Sequence, residues 1–115
     1  MKKNEKKIDK AIVKVLTEAC NIAEQNYNGF SWLTHFVSFS NFPDSLCVIC
    51  IFDTNEQLEQ TDMAELRLLI KEKLLSININ IKDLHRQVNF DTEENCNSEH
   101  HGNWNQRFNA SALTN

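Results

Sequence analysis

Residues 31–53 read SWLTHFVSFSNFPDSLCVICIFD and contain the two clearest strand patterns of the chain. Residues 31–39 and 45–53 are both rich in aromatic and β-branched side chains, which is typical of β-strands. The segment Asn41–Asp44 between them favours a turn, because proline presets φ and Asn and Asp bond to their local backbone. Two strands joined by so short a loop predict an antiparallel hairpin.

Both predicted strands are apolar on both faces. In the second strand, one face carries Cys47, Ile49 and Ile51, and the other carries Leu46, Val48, Cys50 and Phe52. In the first strand, Leu33, Val37 and Phe39 oppose Trp32 and Phe36. A sheet with one solvated face would show clean alternation. We therefore expect a second layer, which is either a C-terminal element of the same chain or another subunit.

Four aromatic residues are the candidates for this second layer or for an interface. They are Trp32 and Phe36 on the first strand and Trp104 and Phe108 near the C-terminus. One exposed apolar face would mark a contact with a partner protein or a homodimer. His35 shares its strand face with Leu33 and Val37, so we interpret it as a hydrogen-bonded histidine of the core or of a pocket edge.

The flanking segments complete an α+β fold with the order α-β-β-α-β-α. Apolar residues at three- and four-residue spacing predict helices over residues 5–27 and 63–76, and a capping box at Asp91–Glu94 opens another to about residue 101. Residues 86–91 predict a third strand. Residues 54–60 are expected to form a loop or a frayed turn, and residues 77–81 a short strand or an extended lead-in. Gly29 is predicted to form a left-handed cap after the first helix. We expect a single domain over residues 1–108 and a disordered tail over residues 109–115.

Composition and charge exclude several classes of protein. With 41% apolar and 24% charged residues in 115, the chain is typical of one globular domain. Residues 1–14 contain six Lys against two acidic residues, a local charge of +4, while six basic and fourteen acidic residues give the remainder −8. An acidic chain is disfavoured as a protein that coats duplex DNA. Binding to nucleic acid is an alternative, and the residues that would make it are the lysines near the N-terminus: Lys2, Lys3, Lys6, Lys7, Lys10 and Lys14.

The sequence predicts a cytoplasmic protein without a cofactor. Lys10, Lys14 and Glu18 interrupt the apolar positions after the basic start, which argues against a signal peptide. The chain has no run of about 18 apolar residues, so we expect no membrane-spanning helix. In the cytoplasm the four cysteines are expected to be thiols.

Two cysteine patterns have metal-like or redox-like spacing. Cys47 and Cys50 form a CxxC pair in the middle of a strand, where the two thiols point to opposite faces, so we interpret both as core residues. Cys96 and His100 lie one helical turn apart and can present two ligands to Zn²⁺. A further ligand would have to come from elsewhere, for example from His35 or His85. The alternative is a polar helix with surface histidines.

No catalytic motif occurs in the sequence. It lacks a phosphate-binding loop, GxSxG and HExxH, so we predict no enzymatic activity. The leading hypothesis is a small binding or adaptor protein that contacts a partner protein or forms a homodimer. The alternatives are a nucleic-acid-associated protein acting through the lysines and a metal-binding protein acting through Cys96 and His100.

Four segments carry a family resemblance. They are Gly29–Phe36 (GFSWLTHF), Val48–Asn55 (VICIFDTN), Arg86–Glu94 (RQVNFDTEE) and Gly102–Trp104 (GNW). On these segments the chain resembles, over residues 5–108, a family of short proteobacterial proteins. Some of its members carry the label of Fis-family transcriptional regulator. The resemblance implies a bacterial protein, and the label implies a helical dimer that ends in a basic helix-turn-helix.

A second similarity concerns the order of elements. The predicted α-β-β-α-β order is similar to the type II KH-like fold of ribosome-binding factor A, which implies a link to RNA. KH domains clamp RNA with a GxxG loop. Gly29 and Gly102 are the only glycines of this chain, so the sequence does not contain that loop.

Overall fold

The computed structural model describes residues 2–114, and the side chains of residues 2–110. This range forms six helices and a small three-stranded sheet, so the predicted α+β class is confirmed. The elements in chain order are α1 (Lys3–Asn26), β1 (Phe30–Phe36), β2 (Cys47–Phe52), α2 (Asn55–Glu59), α3 (Met63–Leu75), α4 (Leu84–Gln87), β3 (Val88–Thr92), α5 (Glu93–His100) and α6 (Trp104–Thr114).

Strand β2 is the middle strand of a mixed sheet with the order β1-β2-β3. It pairs antiparallel with β1, which confirms the predicted hairpin, and parallel with β3. A parallel neighbour cannot follow through a tight turn, because the chain must return to the same end of the sheet. Helices α2, α3 and α4 make up this return path between β2 and β3.

The main core lies between one face of the sheet and helices α1 and α3. Strand β2 contributes Val48, Cys50 and Phe52 to this core, and all three are fully buried. The buried residues of the two helices recur at helical spacing, as the sequence predicts. They are Ile12, Val15, Leu16, Ala19 and Ala23 on α1 and Leu66, Ile70 and Leu74 on α3.

Helix α1 has 24 residues and presents its lysines on the side opposite the core. The six side chains from Lys2 to Lys14 are all exposed. Gly29 has the predicted left-handed conformation, with φ of 86°, but it is not the helix cap. The C-cap is Tyr27, which is extended, and Gly29 lies two residues later in the turn to β1. None of the helices in residues 2–114 is long and apolar enough to cross a membrane.

Residues 77–81 form a turn and an irregular segment where the sequence predicted a short strand or an extended lead-in. The chain leaves α3 through Asn78, whose φ is 64°. Ile79 and Ile81 are buried in the main core at 5% and 1% exposure. The alternation of isoleucine with polar residues therefore reflects burial of the isoleucine side chains in the core. In the described part of the chain, no strand pairs with this segment.

Three boundaries differ from the prediction, two of them because polar side chains start short helices. Residues 54–60 contain α2, which begins where the Thr54 hydroxyl accepts the N–H of Gln57. The predicted third strand included Arg86, but Asp83 accepts the Arg86 N–H and starts α4, so β3 begins at Val88. At the other hairpin strand, β1 ends at Phe36, and residues 39–41 form a 3₁₀ turn.

Helix α6 continues to Thr114 and therefore includes most of the predicted disordered tail. Residues 109–114 are helical in the structure. Asn115, the last residue of that prediction, lies outside the described residues.

Gln87 is a buried polar link between α4 and the hairpin loop. Its side chain is 1% exposed, and its amide nitrogen donates to the carbonyls of Pro43 and Leu46 at 3.0 Å. Its amide oxygen accepts the N–H of Asp83 at 3.1 Å. One side chain thus satisfies three backbone groups, which would be costly to bury without partners.

We expect Gln87→Leu to lower the free energy of unfolding by about 2 kcal/mol or more, because it removes the partners of these three backbone groups. Gln25→Leu on the exposed side of α1 is the matched control and should change stability by less than about 0.5 kcal/mol. Urea unfolding followed by circular dichroism measures both values. Equal stability of the two variants would contradict the structural role of Gln87.

Candidate functional site

The four aromatic residues singled out in the sequence converge on the second face of the sheet. The rings of Trp32 and Trp104 meet edge to face, with centroids 5.1 Å apart. The ring centroid of Phe108 lies 5.3 Å from that of Trp104, with the rings tilted, and 5.1 Å from that of Phe36. Helix α6 therefore packs against β1 on the second face of the sheet. We call these four residues the aromatic cluster, and it is formed within one chain.

Glu93 connects the two indoles of the aromatic cluster. The Trp32 Nε1–H donates to Oε1 of Glu93 at 2.7 Å. The Trp104 Nε1–H is shared between Oε1 and Oε2 of the same carboxylate, at 3.2 and 3.3 Å. Glu93 is the first residue of α5, where the helix dipole also favours a negative charge. Both indoles are thus held by one charged acceptor.

Arg107 attaches α6 to the sheet and to α5. Its Nε and Nη2 donate to the two oxygens of Asp91 at 2.5 and 3.0 Å, which is a bidentate pair. Its Nη1 donates to Glu99 at 2.5 Å. The hydrogen bond to Asp91, and then that to Glu99, raise the pKa of Arg107 far above its usual value.

Helices α5 and α6 of the same chain cover part of the second face, and the aromatic cluster and Arg107 make the contacts. Beneath them, Ile51 of β2 and Cys96 of α5 are fully buried. Of the two sources that the sequence left open for this layer, the structure uses an element of the same chain. Phe36, at the far end of the cluster, remains 45% exposed.

The predicted metal ligands, Cys96 and His100, lie on α5 next to Arg107. Cys96 is fully buried, and burial raises the pKa of its thiol. The Nδ1 atom of His100 lies 3.2 Å from Nη1 of Arg107, so a guanidinium is the neighbour of that nitrogen. Among the described residues, no three His, Cys, Asp or Glu side chains form a group that could hold a metal ion. A metal role for Cys96 and His100 stays a prediction.

The CxxC pair is divided between the two faces of the sheet, as the strand period predicts. Cys50 is fully buried on the main-core side, and burial raises its pKa to about 12. Cys47 pairs across the sheet with Phe36, on the second face, and its sulfur accepts a hydrogen bond from Asn89 at 3.3 Å. The opposite orientations make the pair unsuitable for reversible disulfide chemistry within one strand.

His35 lies on the other side of β1, beside a cleft between this strand and α1. Its Nε2 is 3.0 Å from Oδ1 of Asp9, and its side chain is 18% exposed, which agrees with a hydrogen-bonded residue at a pocket edge. The cleft has a volume of about 220 Å³. Its lining residues are Val13, Leu16, Thr17, Cys20 and Asn21 on α1 and Leu33, Thr34 and His35 on β1.

The cleft contains a cysteine and a histidine, and Asp9 contacts that histidine, yet the thiol is poorly suited to nucleophilic catalysis. Burial, followed by the carboxylate of Glu24, raises the pKa of Cys20. The Cys20 sulfur lies 3.6 Å from that carboxylate. A nucleophilic cysteine needs the opposite shift, because the thiolate is the reactive form. The cleft is therefore better fitted to binding than to covalent chemistry.

One residue in the sequence indicates this cleft, although the helical periodicity of α1 does not explain its position. Val13 is apolar but lies outside the buried stripe of α1, and it is 47% exposed at the mouth of the cleft. The partner residues Glu93, Asp91 and Arg107 could not be found in the same way, because only the packing of α6 brings them together.

Comparisons with models of known protein families, with functionally described proteins and with solved structures find no match to this chain.

We expect Arg107→Met to lower the free energy of unfolding by about 3 kcal/mol, because it leaves Asp91 partly buried without its partner. Arg86→Met is the matched control, since the ion pair of Arg86 with Asp83 is more than half exposed on both sides. That control should cost less than about 1 kcal/mol. Denaturant unfolding followed by tryptophan fluorescence measures both. Equal losses in the two variants would contradict a structural role for the Asp91–Arg107 pair.

Proposed function

We propose that the protein is a non-enzymatic binding module that takes up an extended segment of a partner protein along the outer edge of β1. The observation that carries this proposal is a seven-residue edge strand lying beside an apolar cleft. Strand addition at a sheet edge is a common mode of peptide recognition, in which backbone hydrogen bonds give affinity and pockets for alternate side chains give specificity.

The outer edge of β1 faces α1 and the cleft, where Cys20 contacts the backbone of Leu33. In the described part of the chain, β2 is the only strand that pairs with β1. In an antiparallel pair, alternate residues exchange hydrogen bonds with the neighbour, and the others direct their N–H and C=O groups outward. Away from Leu33, a strand of this length therefore offers outward backbone donors and acceptors to an added strand.

The sequence of β1 lacks the usual protection of an edge strand. Natural edges are blunted by charged side chains, by proline or by bulges. The strand reads FSWLTHF, with no Lys, Asp, Glu or Pro, and its only irregularity is a register shift between Phe30 and Trp32 at its start. An edge without these features is favourable for pairing with another chain.

The cleft beside His35 supplies a side-chain pocket next to this edge. Val13 and Thr17 of α1 face Leu33 and Thr34 of β1 across the cleft, whose volume of about 220 Å³ has room for a large apolar side chain. His35, held by Asp9, adds a polar group at the same place. The proposal places the protein in the cytoplasm, where its four cysteines stay free, as they are in the structure.

Peptides selected from a random library against the full chain test this proposal. We expect them to bind in extended form and to shift backbone amide resonances of β1 and of α1 around Val13. Val13→Glu should weaken binding about tenfold or more, because it places a charge in the cleft. Leu75→Glu, a similarly exposed leucine at the end of α3, is the control and should not.

Two outcomes of this experiment would refute strand addition at β1. In the first, the selected peptides shift only resonances of α3 or α6. In the second, Val13→Glu and Leu75→Glu bind the peptides as well as the unmodified chain.

The second candidate function, binding to nucleic acid, is favoured by the six exposed lysines on the first turns of α1. The junction between α2 and α3, where a KH domain would carry its RNA-binding loop, instead contains Thr61 and Asp62 between Glu59 and Glu65. These carboxylates would repel a phosphate backbone, so we rank protein binding first.

An electrophoretic shift assay with labelled RNA and DNA distinguishes the two functions. If α1 binds phosphates, affinity should fall steeply between 50 and 200 mM salt, on the order of tenfold or more. Lys10→Glu should weaken the complex, whereas Lys82→Glu, an exposed lysine distant in sequence from α1, should not. The absence of a shift at low salt would remove this candidate.

A further inference from the structure

A second groove lies between the C-terminal half of α1 and helix α3 and extends to α2, and the proposed function does not use it. It consists of two adjoining cavities of about 290 and 320 Å³ that share Asn26, Tyr27 and Glu65 as lining residues. Large aliphatic side chains are exposed along the first cavity: Ile22 is 36% and Leu68 is 51% exposed. Exposed apolar residues clustered in a groove mark a surface for another molecule.

Carboxylates border this apolar groove. Glu65 and Glu72 lie seven residues apart on α3, which is about 10 Å along a helix axis. Asp62 extends the acidic border into the second cavity. The hydroxyl of Tyr27 donates to Glu65 at 2.6 Å, which fixes the position of this carboxylate. Farther along the helix pair, Lys73 is paired with Glu18 at 3.2 Å.

The same chain contains a helix face with the complementary charge. Lys3, Lys7, Lys10 and Lys14 follow one another at three- and four-residue spacing, so they line one side of α1. Lys7 and Lys14 are seven residues apart, as are Glu65 and Glu72 on α3. The lysines and the carboxylates therefore have the same spacing along their helices.

The start of the lysine face cannot reach the groove of its own molecule. Lys7 and Asn26 lie in one continuous helix, which holds their backbones about 28 Å apart. An extended lysine side chain covers only a fraction of this distance. A contact of Lys7 with the acidic groove must therefore be made by two molecules.

We propose that the groove between α1 and α3 binds the lysine face of α1 from a second copy of the chain. In a two-fold arrangement each copy supplies one groove and one lysine face, so the contact is made twice and is self-complementary. Lys7 and Lys14 of one copy lie against Glu65 and Glu72 of the other, and Ile22 and Leu68 become covered. The edge of β1 is not part of this contact.

The association is expected to be weak and sensitive to salt. Exposed ion pairs contribute between 0 and about 1 kcal/mol each and are screened as ionic strength rises. Sedimentation velocity of the full chain over increasing protein concentration, at 50 and 500 mM salt, should show a monomer–dimer equilibrium that shifts toward monomer at high salt. A monomer at all concentrations in low salt would overturn the proposal.

Charge reversal on each side of the contact tests its partners. Glu65→Lys with Glu72→Lys, and separately Lys7→Glu with Lys14→Glu, should each give a monomer. An equimolar mixture of these two double variants should associate again, because each groove then meets a face of opposite charge. Failure of the mixture to associate, while both variants keep the native circular dichroism spectrum, would overturn the proposal.

The control for net charge is Asp44→Lys with Asp53→Lys, two exposed carboxylates outside the groove that change the total charge by the same amount. This variant should dimerise like the unmodified chain, and equal loss of dimer here would overturn the proposal. Leu68→Gln changes an exposed side chain without altering charge. It should weaken the dimer at both salt concentrations, and unchanged association would count against burial of the groove.

Discussion

Strand β2 is apolar on both faces, and the rest of the structure depends on covering both of them. Val48, Cys50 and Phe52 point to one side and Ile51 to the other, and all four are fully buried. A single layer of helices can cover only one face of a sheet. Helices α1 and α3 form that layer, while α5 and α6 cover part of the opposite face. The C-terminal helices are thus required by the composition of a strand in the middle of the chain.

The sequence predicted the features that arise from local periodicity. The stripe on α1 and the alternation along β2 are set by neighbouring residues, so α1, α3 and the hairpin are confirmed with small shifts at their ends. The alternation at Ile77, Ile79 and Ile81 predicted a short strand or an extended lead-in, and the strand does not form for a physical reason. Periodicity records which side chains are buried, and it cannot show whether another strand lies alongside to accept the backbone hydrogen bonds.

The candidate sites could be predicted only where a residue type was informative by itself. Four aromatic residues near a doubly apolar hairpin indicated the second layer, and their cluster is formed in the structure. The carboxylate shared by Trp32 and Trp104 depends on the position of Glu93 relative to residues 61 and 11 positions away, which no local pattern encodes. The cleft beside His35 arises in the same way, because it exists only once α1 lies next to the edge of β1.

The position of α6 in the chain has a consequence for folding during synthesis. The ribosome makes the hairpin early, whereas Trp104, Arg107 and Phe108 follow every other described element that they contact. Until these residues emerge, the side of β2 that carries Ile51 has no complete cover, and a nascent sheet with an exposed apolar face is prone to aggregation and a substrate for chaperones. Translation of Trp104, Arg107 and Phe108 therefore sets the moment at which this face can be covered.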